Sequence, residues 1–134
     1  MTAWDLSPVA IRRLSELARE LGLTGLRAEV RDLLTAPPEP SSFDVIVCSH
    51  FLDRALMPAL AAALRPGGLL FYQTFTPTRI TGVGPSNSRF RLADNELLRL
   101  LPDLRLRFYR EEGALGDLGA GCRDLAMLVG ERPG

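Results

Sequence analysis

Phe43-Asp44-Val45-Ile46-Val47-Cys48-Ser49 and, one helix later, Leu64-Arg65-Pro66-Gly67-Gly68-Leu69-Leu70-Phe71-Tyr72-Gln73-Thr74-Phe75 decide the fold of this chain. The first run is nearly all apolar and rich in β-branched residues, which predicts a strand buried on both faces, as in a parallel sheet. Between the two runs, Asp53 is placed to cap a helix whose Leu56, Leu60, Ala63 and Leu64 share one apolar stripe. Pro66-Gly67-Gly68 stops that helix, and residues 69–75 supply the next strand.

The pattern continues outward in both directions. Upstream, Thr2-Ala3-Trp4 is a short apolar stub ending in Asp5. Ser7 then offers an N-cap and Pro8 a first helical position. Ala10, Leu14, Leu17, Ala18 and Leu21 recur at helical spacing, and Gly22 closes the helix. Residues 26–30 read as a second short strand running into Arg31-Asp32-Leu33, and the Pro- and Ser-rich stretch 35–42 as a surface loop.

Downstream, residues 76–89 are polar, contain Gly82, Gly84 and Pro85, and read as a mobile loop. A short helix is expected over 93–101 with Asp94 as its cap. Residues 104–109 and 124–129 read as strands. Their connection, with Gly113, Gly116, Gly119 and Gly121, is too short for a helical crossover, so an antiparallel hairpin is expected. The whole order predicts an α/β fold with a parallel sheet covered by helices and a terminal hairpin, in one domain over 1–134.

Composition bounds the function. Sixteen basic residues, all arginine, balance sixteen acidic ones. That balance argues against a general nucleic-acid-binding role. The apolar runs are far shorter than the ~20 residues a membrane span needs. The N-terminus lacks the basic start and apolar core of a signal peptide, so a cytoplasmic location is expected. Cys48 and Cys122 lie far apart in apolar segments, which favours reduced thiols over a disulfide, and no metal-ligand spacing exists.

In an open α/β sheet, ligands bind beyond the carboxyl ends of the strands. Three such ends carry polar groups here: Asp5, Asp32 and Cys48-Ser49-His50. A carboxylate after a strand can accept hydrogen bonds from both hydroxyls of a ribose. Read locally, Asp5 is as well explained as the turn residue before Ser7, and Asp32 is equally ambiguous.

Order and spacing together go further. The chain resembles the class I S-adenosylmethionine-dependent methyltransferases, and within them a bacterial group related to tellurite-resistance methyltransferases. Ala3-Trp4-Asp5-Leu6-Ser7-Pro8 resembles the family's second strand and its ribose-binding acid. Arg31-Asp32-Leu33 resembles the turn whose acid meets the adenine amino group and whose next backbone unit meets the ring. Residues 43–49 resemble the fourth strand, and Leu64-Arg65-Pro66-Gly67-Gly68-Leu69-Leu70 the glycine turn into the fifth. The resemblance runs on through Tyr72-Gln73-Thr74-Phe75 and Phe90-Arg91-Leu92 to the hairpin.

The resemblance implies S-adenosyl-L-methionine as cofactor and a small-molecule methyl acceptor. It implies cofactor contacts at Asp5, Leu6, Asp32, Leu33, Cys48 and Ser49, and an acceptor side near Tyr72 and Thr74. His50, the one histidine, follows the fourth strand, where an acceptor-facing base would stand, although a structural role fits it as well. Arg79, Arg89 and Arg91 are placed either to attract an anionic acceptor or simply to face solvent.

Two departures from the family stand out. Gln73 occupies a position where relatives often have an acid. The family's first strand and glycine-rich turn, which approach the methionine end of the cofactor, have no counterpart before Asp5. On that reading the Rossmann-like sandwich starts at its second strand, and this chain alone binds cofactor weakly. Strands two and four then close directly, or a homodimer covers the exposed sheet centre. The competing expectation is a catalytically silent methyltransferase fold serving as an interaction module.

Overall fold

The computed structural model describes residues 1–134. Two compact units divide the chain, Met1–Pro37 and Pro38–Gly134, and each is described by itself.

In the first unit, β1 (Thr2–Asp5) and β2 (Arg27–Val30) are parallel neighbours joined through α1 (Pro8–Glu20). The expected cap is in place: Ser7 Oγ accepts from the Ala10 N–H at 3.2 Å, with Pro8 opening the helix. At the other end, the Leu23 N–H donates to Ala18 O and the Gly22 N–H to Arg19 O, the paired bonds of a Schellman stop. Trp4 stands opposite Glu29 and donates its indole N–H to that carboxylate at 3.1 Å. The Arg31 guanidinium lies over the same indole, 4.1 Å from its centre.

The second unit contains β3 (Phe43–Ser49), a 3-10 turn (Arg54–Leu56), α2 (Met57–Ala63) and β4 (Leu64–Phe75). A further 3-10 turn (Ser88–Phe90), α3 (Glu96–Leu100), β5 (Arg105–Glu111) and β6 (Leu125–Glu131) complete it. The sheet order is β3-β4-β6-β5. β3 and β4 are parallel, and β6 is antiparallel to both β4 and β5, so the expected hairpin forms. Leu56, Met57, Leu60 and Leu64 pack with Leu70, Leu92, Leu97, Ala126 and Leu128 in its core.

Four expectations need correction. β3 is not buried on both faces: Val45 and Val47 are 52% and 73% exposed, while Ile46 and Cys48 on the other face are half-buried. Phe71, opposite Val47 on the neighbouring β4, is 40% exposed as well, so it is this face of the sheet that lies open. β4 begins at Leu64, not after the glycines, because Phe43 pairs with Leu64 and the ladder resumes at Val45 and Leu69. The intervening Gly67 N–H and Gly68 carbonyl are held by the backbone of Arg132.

The third helix is shorter than expected, and Asp94 does not cap it. Asn95 takes a left-handed φ of 58°, and the Glu96 carboxylate accepts the Ala93 N–H at 2.6 Å. Lastly, the loop after β4 is fastened, not loose. Arg91, 4% exposed, donates to the carbonyls of Thr76, Thr78, Val83 and Pro85. From the other side Asp124 accepts from the Ile80 and Thr81 N–H groups and from the Thr81 hydroxyl. Both side chains pair with groups distant in sequence, which no local pattern announces.

Candidate functional site

Because β1 and β2 are parallel, their carboxyl ends share one edge. The ladder continues past β1 through the Arg31 N–H, which donates to Asp5 O at 3.0 Å, and so sets Asp32 next to that strand end. The Asp5 carboxylate is exposed and accepts the Ser7 N–H through Oδ1 at 2.7 Å. Asp32, half-buried, accepts the Leu34 N–H through Oδ1 at 2.9 Å. Each acid therefore spends one oxygen, Oδ1, on fixing its own turn.

The turn after β2 is held as well. Asp32 O accepts the Ala36 N–H, and Arg31 donates to the carbonyls of Ala36 and Pro37. Leu6 is 67% exposed beside Asp5, and Leu33 is half-buried beside Asp32.

The carboxyl edge of the second unit is built differently. Ser49 pairs with Gln73, and the His50 N–H donates to Gln73 O at 2.9 Å. His50 has a φ of 56°, an uncommon conformation for a residue with a side chain. Gln73 Nε2 donates to Ser49 Oγ at 2.8 Å, and Ser49 Oγ lies 3.0 Å from His50 Nδ1. The imidazole rests 5.1 Å from the Phe75 ring, whose other neighbours are the Arg91 guanidinium and Gly84. A Cβ at Gly84 would come within 2.5 Å of the Phe75 ring, so only glycine lets the loop lie this close.

Tyr72 and Thr74, expected on the acceptor side, are 2% and 1% exposed. Alternation along β4 puts both on its buried side. The Tyr72 hydroxyl donates to Phe51 O, and burial pushes its phenol well above the usual range. Burial likewise pushes the Cys48 thiol up to about 11, against a smaller opposing effect of its hydrogen bond with Tyr72. Cys48 is therefore a protonated thiol at neutral pH, free of any disulfide. Arg79 and Arg89 are exposed, but Arg91 is consumed by the loop carbonyls. Gln73 stands out in the sequence only as a departure from the family, because its partner Ser49 is set by strand register.

A hollow of about 330 Å³ in the first unit is lined by Ser15, Ala18, Arg19, Leu23, Leu26 and Ala28, among others. It lies toward the amino end of β2, away from Asp5 and Asp32, so it is not a candidate for ligand binding at the carboxyl edge. No group of His, Cys, Asp and Glu is arranged to hold a metal ion. No helix is long and apolar enough to cross a membrane.

Parallel strands with acids at their carboxyl ends, followed by an antiparallel closing hairpin, define a Rossmann-like methyltransferase fold. Known proteins agree. Residues 1–68 match the family described as "Methyltransferase domain". The ubiquinone biosynthesis O-methyltransferase of Xanthomonas campestris pv. campestris is 35% identical over 85 residues, covering 58% of this chain and 35% of that protein. Among solved structures, TehB from Haemophilus influenzae superposes with a TM-score of 0.74 at 21% identity, covering 98% of this chain and 49% of that one. A geranyl diphosphate methyltransferase, solved with geranyl diphosphate and sinefungin, gives 0.72 at 17% identity, covering 98% of this chain and 63% of that one. The chain thus spans about a third of the length of the curated relatives it matches and half of TehB. It belongs to the methyltransferase-domain family, whose cofactor is S-adenosyl-L-methionine.

Proposed function

We propose that this chain carries the adenosine-binding and acceptor-side parts of a bacterial, cytoplasmic methyltransferase acting on a small molecule, in the tellurite-resistance-like group. The supporting observation is the shared carboxyl edge of β1 and β2, where Asp5 and Asp32 each retain an accepting oxygen. Asp5 Oδ2 takes the ribose hydroxyls, with exposed Leu6 beside it. Asp32 takes the adenine amino group, and the Leu33 backbone meets the ring. Cys48 and Ser49, at the end of β3, are the cofactor-side residues that the resemblance assigns to the second unit. Bound there, the cofactor supplies a methyl group on a sulfonium, whose leaving thioether needs no proton. The protein's task is alignment and exclusion of water. His50 stands on the acceptor side.

Titration calorimetry with S-adenosylhomocysteine tests this reading. The chain is expected to bind, and Asp5→Asn and Asp32→Asn are each expected to weaken binding by about 10- to 100-fold, the worth of one charge-assisted hydrogen bond. No binding, or binding indifferent to both changes, would sink it. One observation favours the silent interaction module instead: β3 is a rim strand that presents Val45 and Val47 outward. Self-association without affinity for S-adenosylhomocysteine would decide for that module.

A further inference from the structure

Gln73, Ser49 and His50 form one hydrogen-bonded chain at the carboxyl edge of β3 and β4, and its polarity has a chemical consequence. The primary amide of Gln73 donates to Ser49 Oγ at 2.8 Å. That bond occupies a lone pair of the hydroxyl and strengthens its own hydrogen as a donor. The next polar atom along the chain is His50 Nδ1, 3.0 Å from the same oxygen. A hydroxyl hydrogen directed there makes Nδ1 the acceptor, and a neutral imidazole with Nδ1 accepting carries its proton on Nε2. The geometry is held on the backbone too, by the Ser49–Gln73 register and the bond from the His50 N–H to Gln73 O. His50 also keeps a left-handed φ of 56°, which costs an ordinary residue free energy, and its ring is braced on Phe75.

We propose that Gln73 and Ser49 are positioning residues that fix His50 as the Nε2–H tautomer, so that His50 meets the methyl acceptor as a hydrogen-bond donor and not as its base. The inference rests on the methyltransferase reading for the identity of the ligand, and it narrows the acceptor class. A ring whose Nδ1 is occupied and whose Nε2 is protonated has no lone pair with which to take a proton. The acceptor must therefore be one that needs no base at His50: a hydroxyl whose proton has to leave finds nowhere on this ring to send it. The amide is essential to this polarity. A carboxylate at position 73 only accepts, so it would draw the Ser49 hydrogen toward itself, leave Oγ to accept from Nδ1–H, and set the Nε2 lone pair loose as a base.

The chain contains a single imidazole, so its tautomer is read without assignment ambiguity from long-range ¹H–¹⁵N correlations on uniformly ¹⁵N-labelled protein. At a pH where the ring is neutral, the wild-type chain is expected to show Nε2 protonated and Nδ1 bare. Gln73→Glu is expected to move the proton to Nδ1, and the exposed Ser49→Ala to give the mixture of a free imidazole. A wild-type ring protonated on Nδ1, or a tautomer that ignores both substitutions, would overturn the proposal. The measurement needs no cofactor, so it stands apart from the calorimetry: a chain that fails to bind S-adenosylhomocysteine still reports its tautomer.

Discussion

Arg91 and Asp124 do opposite jobs on the same stretch of chain. One guanidinium gathers carbonyls from both ends of the loop after β4, and one carboxylate gathers N–H groups from its middle. Neither is replaceable by its nearest relative. Lysine lacks the planar fork that reaches several carbonyls at once, and asparagine turns one accepting oxygen into a donor. Arg91→Ala is expected to cost about 2–4 kcal/mol in urea unfolding, since several charge-assisted bonds are lost together. Asp124 also writes a pH signature. Burial pushes its carboxyl up, but the bonds from Thr81 and Ile80 and the charge of Arg91 outweigh that, and the net shift is downward. A carboxyl depressed in the folded state contributes stability fully above its ordinary value of about 3.9 and loses it as the pH falls through the folded value. Asp124→Asn should therefore lower the urea midpoint at pH 7 while leaving a shallower loss as the pH falls below the ordinary carboxyl value of about 3.9. Parallel acid limbs in the two proteins would contradict the assignment. Cys48 supplies a simpler check: with its thiol at about 11, alkylation at Cys48 of the folded chain, followed separately from Cys122 by peptide mapping, should stay slow at pH 8 and accelerate only in strong alkali.

At the scale of elements, what the sequence announces is what local chemistry decides. The Ser7-Pro8 start of α1, the Asp53 cap, accepting from the Ala55 N–H at 2.9 Å, and the glycine-rich link between β5 and β6 are all short-range signals, and each is present. The Asp94 cap is a local signal that fails, because Glu96 takes the Ala93 N–H; other errors fall where register or distant partners decide. Pro66-Gly67-Gly68 looks like punctuation in the sequence, yet it sits within β4 because Phe43 pairs before it and Val45 after it. Gly68 shows why a glycine is needed there: a Cβ would meet the backbone oxygens of Arg65, Asp44 and Phe43 at 2.9, 3.0 and 3.2 Å. None of those can swing away as a flexible side chain could. Gly68→Ala is thus expected to destabilise by about 1–3 kcal/mol, the usual penalty of overpacking. An unchanged denaturation midpoint would show that the irregular β3–β4 pairing relaxes more easily than its hydrogen bonds suggest. The site follows the same rule. The places of Asp5 and Asp32 at strand ends can be read from the sequence, and only the resemblance singles them out as site residues, whereas the Gln73–Ser49–His50 chain depends on Ser49 facing Gln73, which only the folded register fixes.

Across the whole molecule, core and candidate cofactor residues are unevenly distributed. Nearly every buried apolar side chain belongs to Pro38–Gly134, and Met1–Pro37 contributes only Ala18. The two acids proposed to hold adenosine nonetheless lie in that first unit, on a two-stranded sheet. A sheet of two strands with so little buried apolar area is marginal by itself, and elements of low local stability are those a ligand can order. Amide hydrogen exchange should therefore grade the chain: amides of β1 and β2 exchange through openings of lower free energy than those of β4 and β6. Saturating S-adenosylhomocysteine should then narrow the difference. At a ligand concentration one hundred times Kd, linkage adds about 2.7 kcal/mol to any opening that destroys the site. The gain should appear at the amides of residues 28–31 and 32–36, fall to about 0.4–1.4 kcal/mol in Asp5→Asn at equal ligand concentration, and spare the ends of β5. Protection spread evenly over the chain would mean that the ligand stabilises the fold through some other surface. Protection confined to the second unit would remove Asp5 and Asp32 from the site.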